Sequence, residues 1–437
     1  MTKAFNLNQG QEAASKAFLD FLFSTDKEFI ISGSAGVGKT YLMNSIIDNT
    51  MVAYTKTCEI VGIEPEYTEV VMTATTNKAA EVLATSTGRP TQTIHSFLAL
   101  TVFDDYSTGT TKLKKTNGWK VHENKIIFID ECSMIDSSLY QVIHEGTLNC
   151  KIVYVGDHNQ LAPVMEKLSP VYKQESAFFE LTQQMRNSGQ PYLMAICSQL
   201  RNTVSTGIFA PIHIKPGVID FLDDEQMQIM LTQTFQNQTK ESRILAYTNK
   251  RVNDYNEYIR GIRALPSTYT EGELLVSNGA FRKNDKTLSV ESEVEILKDH
   301  GIDQIKIDTN PDGTGILLDV QILDIENPVI GKFMRINSPT DKTHYGQLLN
   351  WFKARKNWER YYHLKNDYPD LRPRDAATVH KSQGSTYESV FIDLENISTV
   401  RQPDQAARML YVAFSRARSR VFLYGQLAPK YGGLILP

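Results

Sequence analysis

Two groups of residues in this chain are spaced for phosphate chemistry. The first is Gly33-Ser34-Ala35-Gly36-Val37-Gly38-Lys39-Thr40, which fits G-x-x-x-x-G-K-[ST]. Glycines at these positions let a turn bring backbone N–H groups up to phosphate oxygens, at the mouth of a following helix. Lys39 then reaches the β- and γ-phosphates, and the Thr40 hydroxyl sits on Mg²⁺. The second is Ile126-Ile127-Phe128-Ile129-Asp130-Glu131, an apolar run that ends in two carboxylates. At the C-terminal edge of an open α/β sheet, where ligands bind, Asp130 would hold Mg²⁺ and Glu131 would orient or deprotonate the attacking water. Together the two groups predict nucleoside triphosphate hydrolysis.

Weaker candidates stand around them. Gln11 precedes the loop, and its amide can donate to and accept from an adenine edge at once; a polar helix start is the alternative. Gln160, in Gly156-Asp157-His158-Asn159-Gln160, is placed to sense a γ-phosphate. Arg186 follows a polar turn, and read alone it is a surface salt bridge. The hydroxyl-rich stretches around Thr76-Asn77 and Thr93-Ile94-His95 suit a sugar–phosphate backbone, with helix capping as the competing reading.

These residues need elements to hold them. Residues 28–31 read as a buried strand before the loop and 41–47 as the helix after it. Further strands are expected at 68–75 and 151–155, so the first core is α/β. Residues 99–124 break that rhythm with turn signals, Lys112, Lys114 and Lys115, and the aromatics Phe103, Tyr106 and Trp119; a small β-hairpin fits. Strand-like runs at 243–247, 390–394 and 421–424 alternate with helices and predict a second α/β core. Between them, 264–369 reads as an inserted antiparallel β-barrel, with one helix over 348–364 whose aromatics Trp351, Trp358 and Tyr361 suit core packing better than base stacking.

Composition narrows the class. The 437 residues suggest about three domains. At 41% hydrophobic and 22% charged the chain builds cores without staples. No apolar run approaches the about 18 residues of a membrane span, and no secretory signal is read at the start. Four scattered cysteines suggest neither disulfides nor zinc, which fits a reducing cytosol. A net charge of −4 leaves nucleic acid open, because binding depends on where the positive charge lies.

The order of the motifs adds a resemblance. The loop, Ile129-Asp130-Glu131, Gly156-Asp157-x-x-Gln160-Leu161-x-Pro163-Val164, Thr378-Val379-His380-Lys381-Ser382-Gln383-Gly384 and Tyr411-Val412-Ala413-x-Ser415-Arg416-Ala417 resemble the superfamily 1B DNA helicases of the RecD and Dda kind, over nearly the whole chain. Ala162, Asn77 and Asn187 depart from the usual Pro, His and Ser, and none of these removes a charged catalytic group. The resemblance implies two RecA-like parallel-sheet P-loop cores, at 1–98 with 125–184 and at 185–263 with 370–437. It implies a strand-separating pin at 99–124 and an SH3-like barrel at 264–369. ATP with Mg²⁺ would lie between the cores, with Gly384 among the nucleotide contacts and Arg186 and Arg416 reaching the γ-phosphate. Thr76, Asn77, Thr93, His95, Tyr247, Thr248, Asn249, Lys250, Thr378, His380, Lys381 and Ser382 would face DNA, with Phe103 and Tyr106 in the pin. The expected activity is ATP-driven 5′→3′ unwinding by a monomer acting on single-stranded and forked DNA in the cytoplasm, a host's if viral, beside single-strand-binding or replisome proteins. An RNA helicase, or a translocase that displaces proteins with little unwinding, is the alternative.

Overall fold

The computed structural model describes residues 5–163, 166, 168–174, 176–183, 190–283, 286–308, 315–327 and 331–437. Arg186, Val164 and the turn at 310–313 lie outside them.

The first core is a six-stranded, fully parallel sheet. Its order, edge to edge, is Ala177–Leu181, Glu28–Gly33, Lys151–Gly156, Lys125–Asp130, Glu69–Ala74 and Thr91–Thr93. The central strands are apolar on both faces because helices cover both. One face packs Phe18, Phe29, Leu42, Ile46 and Phe128; the other packs Ile30, Ile127, Ile129, Leu139 and Tyr154. Full burial of each such side chain contributes roughly 1.5–3 kcal/mol, and that anchors the strand ends carrying the loop and Asp130. The helix after the loop begins at Lys39, runs to Ser45, widens through a π-turn at Ile46–Thr50 and continues as Met51–Val61. It is longer than sequence reading gives, because no Gly or Pro interrupts it before Gly62.

The second core is a five-stranded parallel sheet in the order Ile219–Leu222, Ala417–Tyr424, Tyr387–Asp393, Ser242–Ala246 and Ala376–Thr378. Two of these, Ile219–Leu222 and Ala376–Thr378, are too short to show a pattern of their own.

Two insertions depart from the parallel sheets. Leu100–Asp105 pairs with Thr110–Lys115 in an antiparallel hairpin. Between the strands of the second core lies a five-stranded antiparallel sheet, ordered Lys332–Pro339, Gly315–Asn327, Glu293–Asp308, Leu274–Ser277 and Leu371–Pro373. Its last strand lies beyond residue 369, so a boundary at 370 cuts through this sheet. The single helix expected over 348–364 is two, Lys342–Ala354 and Trp358–Asp367. The break has a local cause: Lys356 adopts a left-handed φ of 54°, and the Asn357 side chain caps the second helix at the Arg360 N–H, 3.3 Å away. The aromatic row therefore splits, with Trp351 under the Arg355 guanidinium at 3.8 Å and Trp358 turned toward the hairpin. Among the described residues no helix is long and apolar enough to cross a membrane.

Candidate nucleotide site and channel

The loop leaves its strand at Gly33, where a Cβ would lie 2.8 Å from the Leu181 carbonyl oxygen; no other residue fits. Gly38, at φ 80°, is the left-handed entry to the Lys39 helix. Lys39 folds over the loop, its Nζ donating to the Gly33 and Ser34 carbonyls at 2.7 and 3.0 Å. Gln11 is fully buried behind the loop. Its Nε2 donates to the Val37 and Gly38 carbonyls at 3.4 and 3.3 Å, and its Oε1 accepts from the Asn8 N–H at 3.1 Å. The amide expected to read adenine therefore supports the loop and caps its own helix here.

Asp130 and Glu131 end the adjacent strand. The Asp130 carboxylate accepts from the Glu131 N–H at 2.9 Å. Loss of water around it, reinforced by the Glu131 charge and only partly offset by Lys39, pushes its pKa up to about 7. A carboxylate held in so poor an environment beside a second carboxylate fits a divalent cation, which would stabilise both charges. Glu131 itself is in left-handed backbone, φ 53°, an uncommon conformation for a non-glycine residue that clusters at functional sites. Its Oε1 lies 3.9 Å from where a Cβ on Gly384 would stand, so Gly384 of the second core faces the carboxylate pair of the first.

The cores meet along the turn that follows Lys151–Gly156. Tyr411 donates from its hydroxyl to the Asp157 carboxylate at 2.6 Å; burial and that carboxylate hold the phenol well above its ordinary pKa. Arg408 Nη1 donates to the His158 and Gln160 carbonyls, both at 2.7 Å. Arg201 lies 3.7 Å from Asp157 and 2.6 Å from Glu180. Gln160 accepts from Gln383 Nε2 at 3.5 Å, and Leu161 packs into the apolar core of the second sheet. Arg201, Asp157, Arg408 and Tyr411 were not singled out from sequence. The Arg408 and Tyr411 contacts join residues 248 to 254 positions apart, which no local pattern encodes, although the Tyr411 and Asp157 motifs themselves are visible.

Arg416 does not face the loop. Its guanidinium is buried, and it bonds to the Val412 and Ser385 carbonyls, both at 3.1 Å, and to Ser415 Oγ at 2.8 Å. These bonds engage three of its five N–H donors.

Above this junction is a cavity of about 800 Å³. Thr76, Asn77, Thr93 and His95 line it from the first core, His380 and Lys381 from the second, and Phe281, Val290 and Glu291 from the inserted sheet. His95 and His380 are both held below the ordinary imidazole pKa by burial, so both are neutral at pH 7. Other expected DNA contacts are engaged elsewhere. Thr76 and Thr93 hydroxyls cap helices at Ala79 and Ser96. Ser382 is fully buried and donates to the Val379 carbonyl at 2.8 Å, and Thr378 accepts from the Lys381 N–H. Thr248 caps the helix Asn249–Ile262, the Tyr247 ring lies 6.4 Å from that of His380, and Asn249 accepts from Arg372 at 2.9 Å. Lys250 is 87% exposed and pairs with Asp254 one turn on, the plain surface pair of a solvated helix face.

In the hairpin, Phe103 is 45% exposed with Lys114 over its ring at 5.1 Å. Tyr106 is exposed to the same degree, and it stacks on Tyr362 of the inserted helix, centroids 5.6 Å apart. Asn366 donates to Asp104 at 3.2 Å. A Cβ on Gly109 would collide with the Trp358 ring at 2.4 Å.

A phosphate loop and acidic pair in one parallel-sheet core, beside a second such core with a cavity across both, are the parts of a two-core P-loop nucleoside triphosphatase. Comparison with known proteins agrees. Residues 20–166 match the family described as AAA domain, and residues 375–424 match the UvrD-like helicase C-terminal domain. The chain is 23% identical to the ATP-dependent DNA helicase Dda of Enterobacteria phage T4, over 95% of this chain and 99% of that one. It is equally similar, at 23% and the same coverage, to an uncharacterized protein of Acanthamoeba polyphaga mimivirus. Among solved structures, the Pif1 helicase from Bacteroides in complex with ADP-AlF3 and ssDNA shares the fold at a TM-score of 0.51 and 14% identity, covering 99% of this chain and 95% of that one. These similarities support a helicase of superfamily 1B.

Proposed function

We propose that this protein is an ATP-dependent DNA helicase that moves 5′→3′ along single-stranded DNA and separates the duplex ahead of it. The observation that carries the reading is the shared junction of site and channel. Glu131 faces Gly384, and Gln160 meets Gln383, while His380 and Lys381 of the same segment line the cavity. A change at the γ-phosphate therefore moves the segment that grips the strand.

Gly33 to Thr40 bind the triphosphate, with Lys39 released from its carbonyls onto the β- and γ-phosphates. Thr40 and Asp130 would hold Mg²⁺, which neutralises phosphate charge when bound. Glu131 orients and deprotonates water. Arg416, and Arg186 with it, would turn onto the γ-phosphate in the closed state, as arginine fingers do. Base-pair stacking of about 1.4 kcal/mol per step is small beside the free energy of ATP hydrolysis, so one cycle can open a pair.

The hairpin is read as the pin, and the five-stranded sheet with its two helices as the inserted SH3-like domain. Anchorage of the hairpin tip on Tyr362, Asn366 and Trp358 favours unwinding over bare translocation, because a wedge must hold its place against the duplex. The protein acts as a monomer in the cytoplasm, a host's if viral, with single-strand-binding or replisome proteins as its expected company. ATPase activity measured with and without single-stranded DNA tests the reading. Strong stimulation is expected in the wild type and no turnover in Lys39→Ala; DNA-independent turnover would count against it.

A further inference from the structure

Lys381 projects from the second core into the channel, yet every partner of its ammonium group belongs to the inserted region. Its Nζ is 3.0 Å from the Glu291 carboxylate and donates to the Asn278 carbonyl at 3.2 Å and to the Asn278 side-chain oxygen. Glu291 is one of few non-glycine residues in left-handed backbone, at φ 63°. It is held there by its N–H on the Ser277 carbonyl at 2.8 Å. That turn aims a carboxylate at a cavity lined by Lys78, Arg243, Arg282 and Lys381; of its other carboxylates, Asp104, Glu131 and Glu293, the last is paired with Arg374 at 2.9 Å. Arg243 is 4% exposed, and its Nε has no hydrogen-bond partner. A carboxylate in a strand-binding channel is the wrong charge for a phosphate, unless it occupies a cation until the phosphate arrives.

We propose that Glu291 is a resident anion that stands in for a DNA phosphate on Lys381, so that strand entry is an exchange of one anion for another. This rests on the reading of the cavity as the single-strand channel. Glu291 and Asn278 tie the inserted region to the segment 378–384 through Lys381. An arriving phosphodiester takes Lys381 from Glu291, and the insertion is released from the segment that also carries Gln383 and Gly384. Glu291 is thus a positioning residue. It lowers intrinsic affinity for the strand, which favours release at each step, and it reports strand occupancy to the ATP cleft.

The test is equilibrium binding of a fluorescent oligo(dT) to the full chain across a salt series, for wild type, Glu291→Gln, Lys381→Ala and the double variant. Glu291→Gln should bind about tenfold tighter, since the arriving phosphate no longer displaces or faces a carboxylate. Its log-log salt slope should steepen by up to about 0.7, the increment for one more phosphate neutralised on a single strand. Glu291→Asn, whose side chain tolerates left-handed backbone, should do the same, which separates charge from folding. Neither gain should survive in the Lys381→Ala background. Unchanged or weaker binding by both neutral variants, with Lys381→Ala still weakening it, overturns the proposal and leaves the channel reading standing. Unchanged binding by Lys381→Ala as well overturns both.

Discussion

Glu131 carries its carboxylate on a left-handed residue directly opposite Gly384 of the other core. Glu131→Gln keeps that shape and removes the base. Turnover should fall by about 10²–10⁴ while ATP still binds, measured as single-turnover hydrolysis beside nucleotide affinity. Asp130 titrates near 7 because dehydration and Glu131 disfavour its charge. The sign follows: its proton is held more tightly in the folded than in the unfolded chain. Metal-free stability is therefore lost as pH rises from about 4 through 7. Asp130→Asn, neutral throughout, should melt higher than wild type at pH 8 without metal, by a margin that shrinks toward pH 5. A constant margin would place the carboxylate in water. Arg416→Ala should lower kcat by at least ~10³ with a smaller effect on nucleotide affinity. A loss confined to KM would mean that the arginine binds ground and transition states equally.

At the scale of elements, the hairpin and the helix Trp358–Asp367 act as one unit. Replacing residues 103–113 by a Gly-Ser turn should leave DNA-stimulated ATPase largely intact and strongly reduce unwinding of 5′-tailed duplexes. Phe103 and Tyr106 are both half-exposed, and either ring could stack on the parting base pair, at about 1–3 kcal/mol per base; Tyr106 already stacks on Tyr362. Tyr362→Ala should therefore weaken unwinding without touching the hairpin sequence, read as displacement rate at fixed ATPase. Unwinding as fast as wild type by both variants would make the hairpin a surface loop. The loop, the acidic pair and the hairpin are legible because each is written in one short continuous stretch of sequence. Sequence reading placed one helix where there are two, because a single left-handed Lys356 breaks it. Thr378 and Ser382, both expected DNA contacts, take part in local hydrogen bonds, Thr378 accepting from the Lys381 N–H and Ser382 donating to the Val379 carbonyl.

The whole molecule is two sheets joined by a polar seam, and the seam was the least legible part. Tyr411 and Asp157 are 254 residues apart, and their bond exists only once the helix Pro403–Ser415 lies against the first core. The account's central claim is that nucleotide-driven closure of this seam moves a grip along a strand in one direction. Strand displacement on forked, 5′-tailed and 3′-tailed DNA measures it most directly. Wild-type protein with ATP is predicted to separate the 5′-tailed and forked substrates and leave the 3′-tailed one paired, with Lys39→Ala inert on all three. Preferential opening of the 3′-tailed duplex, or brisk DNA-stimulated ATPase with no displacement on any substrate, would contradict it.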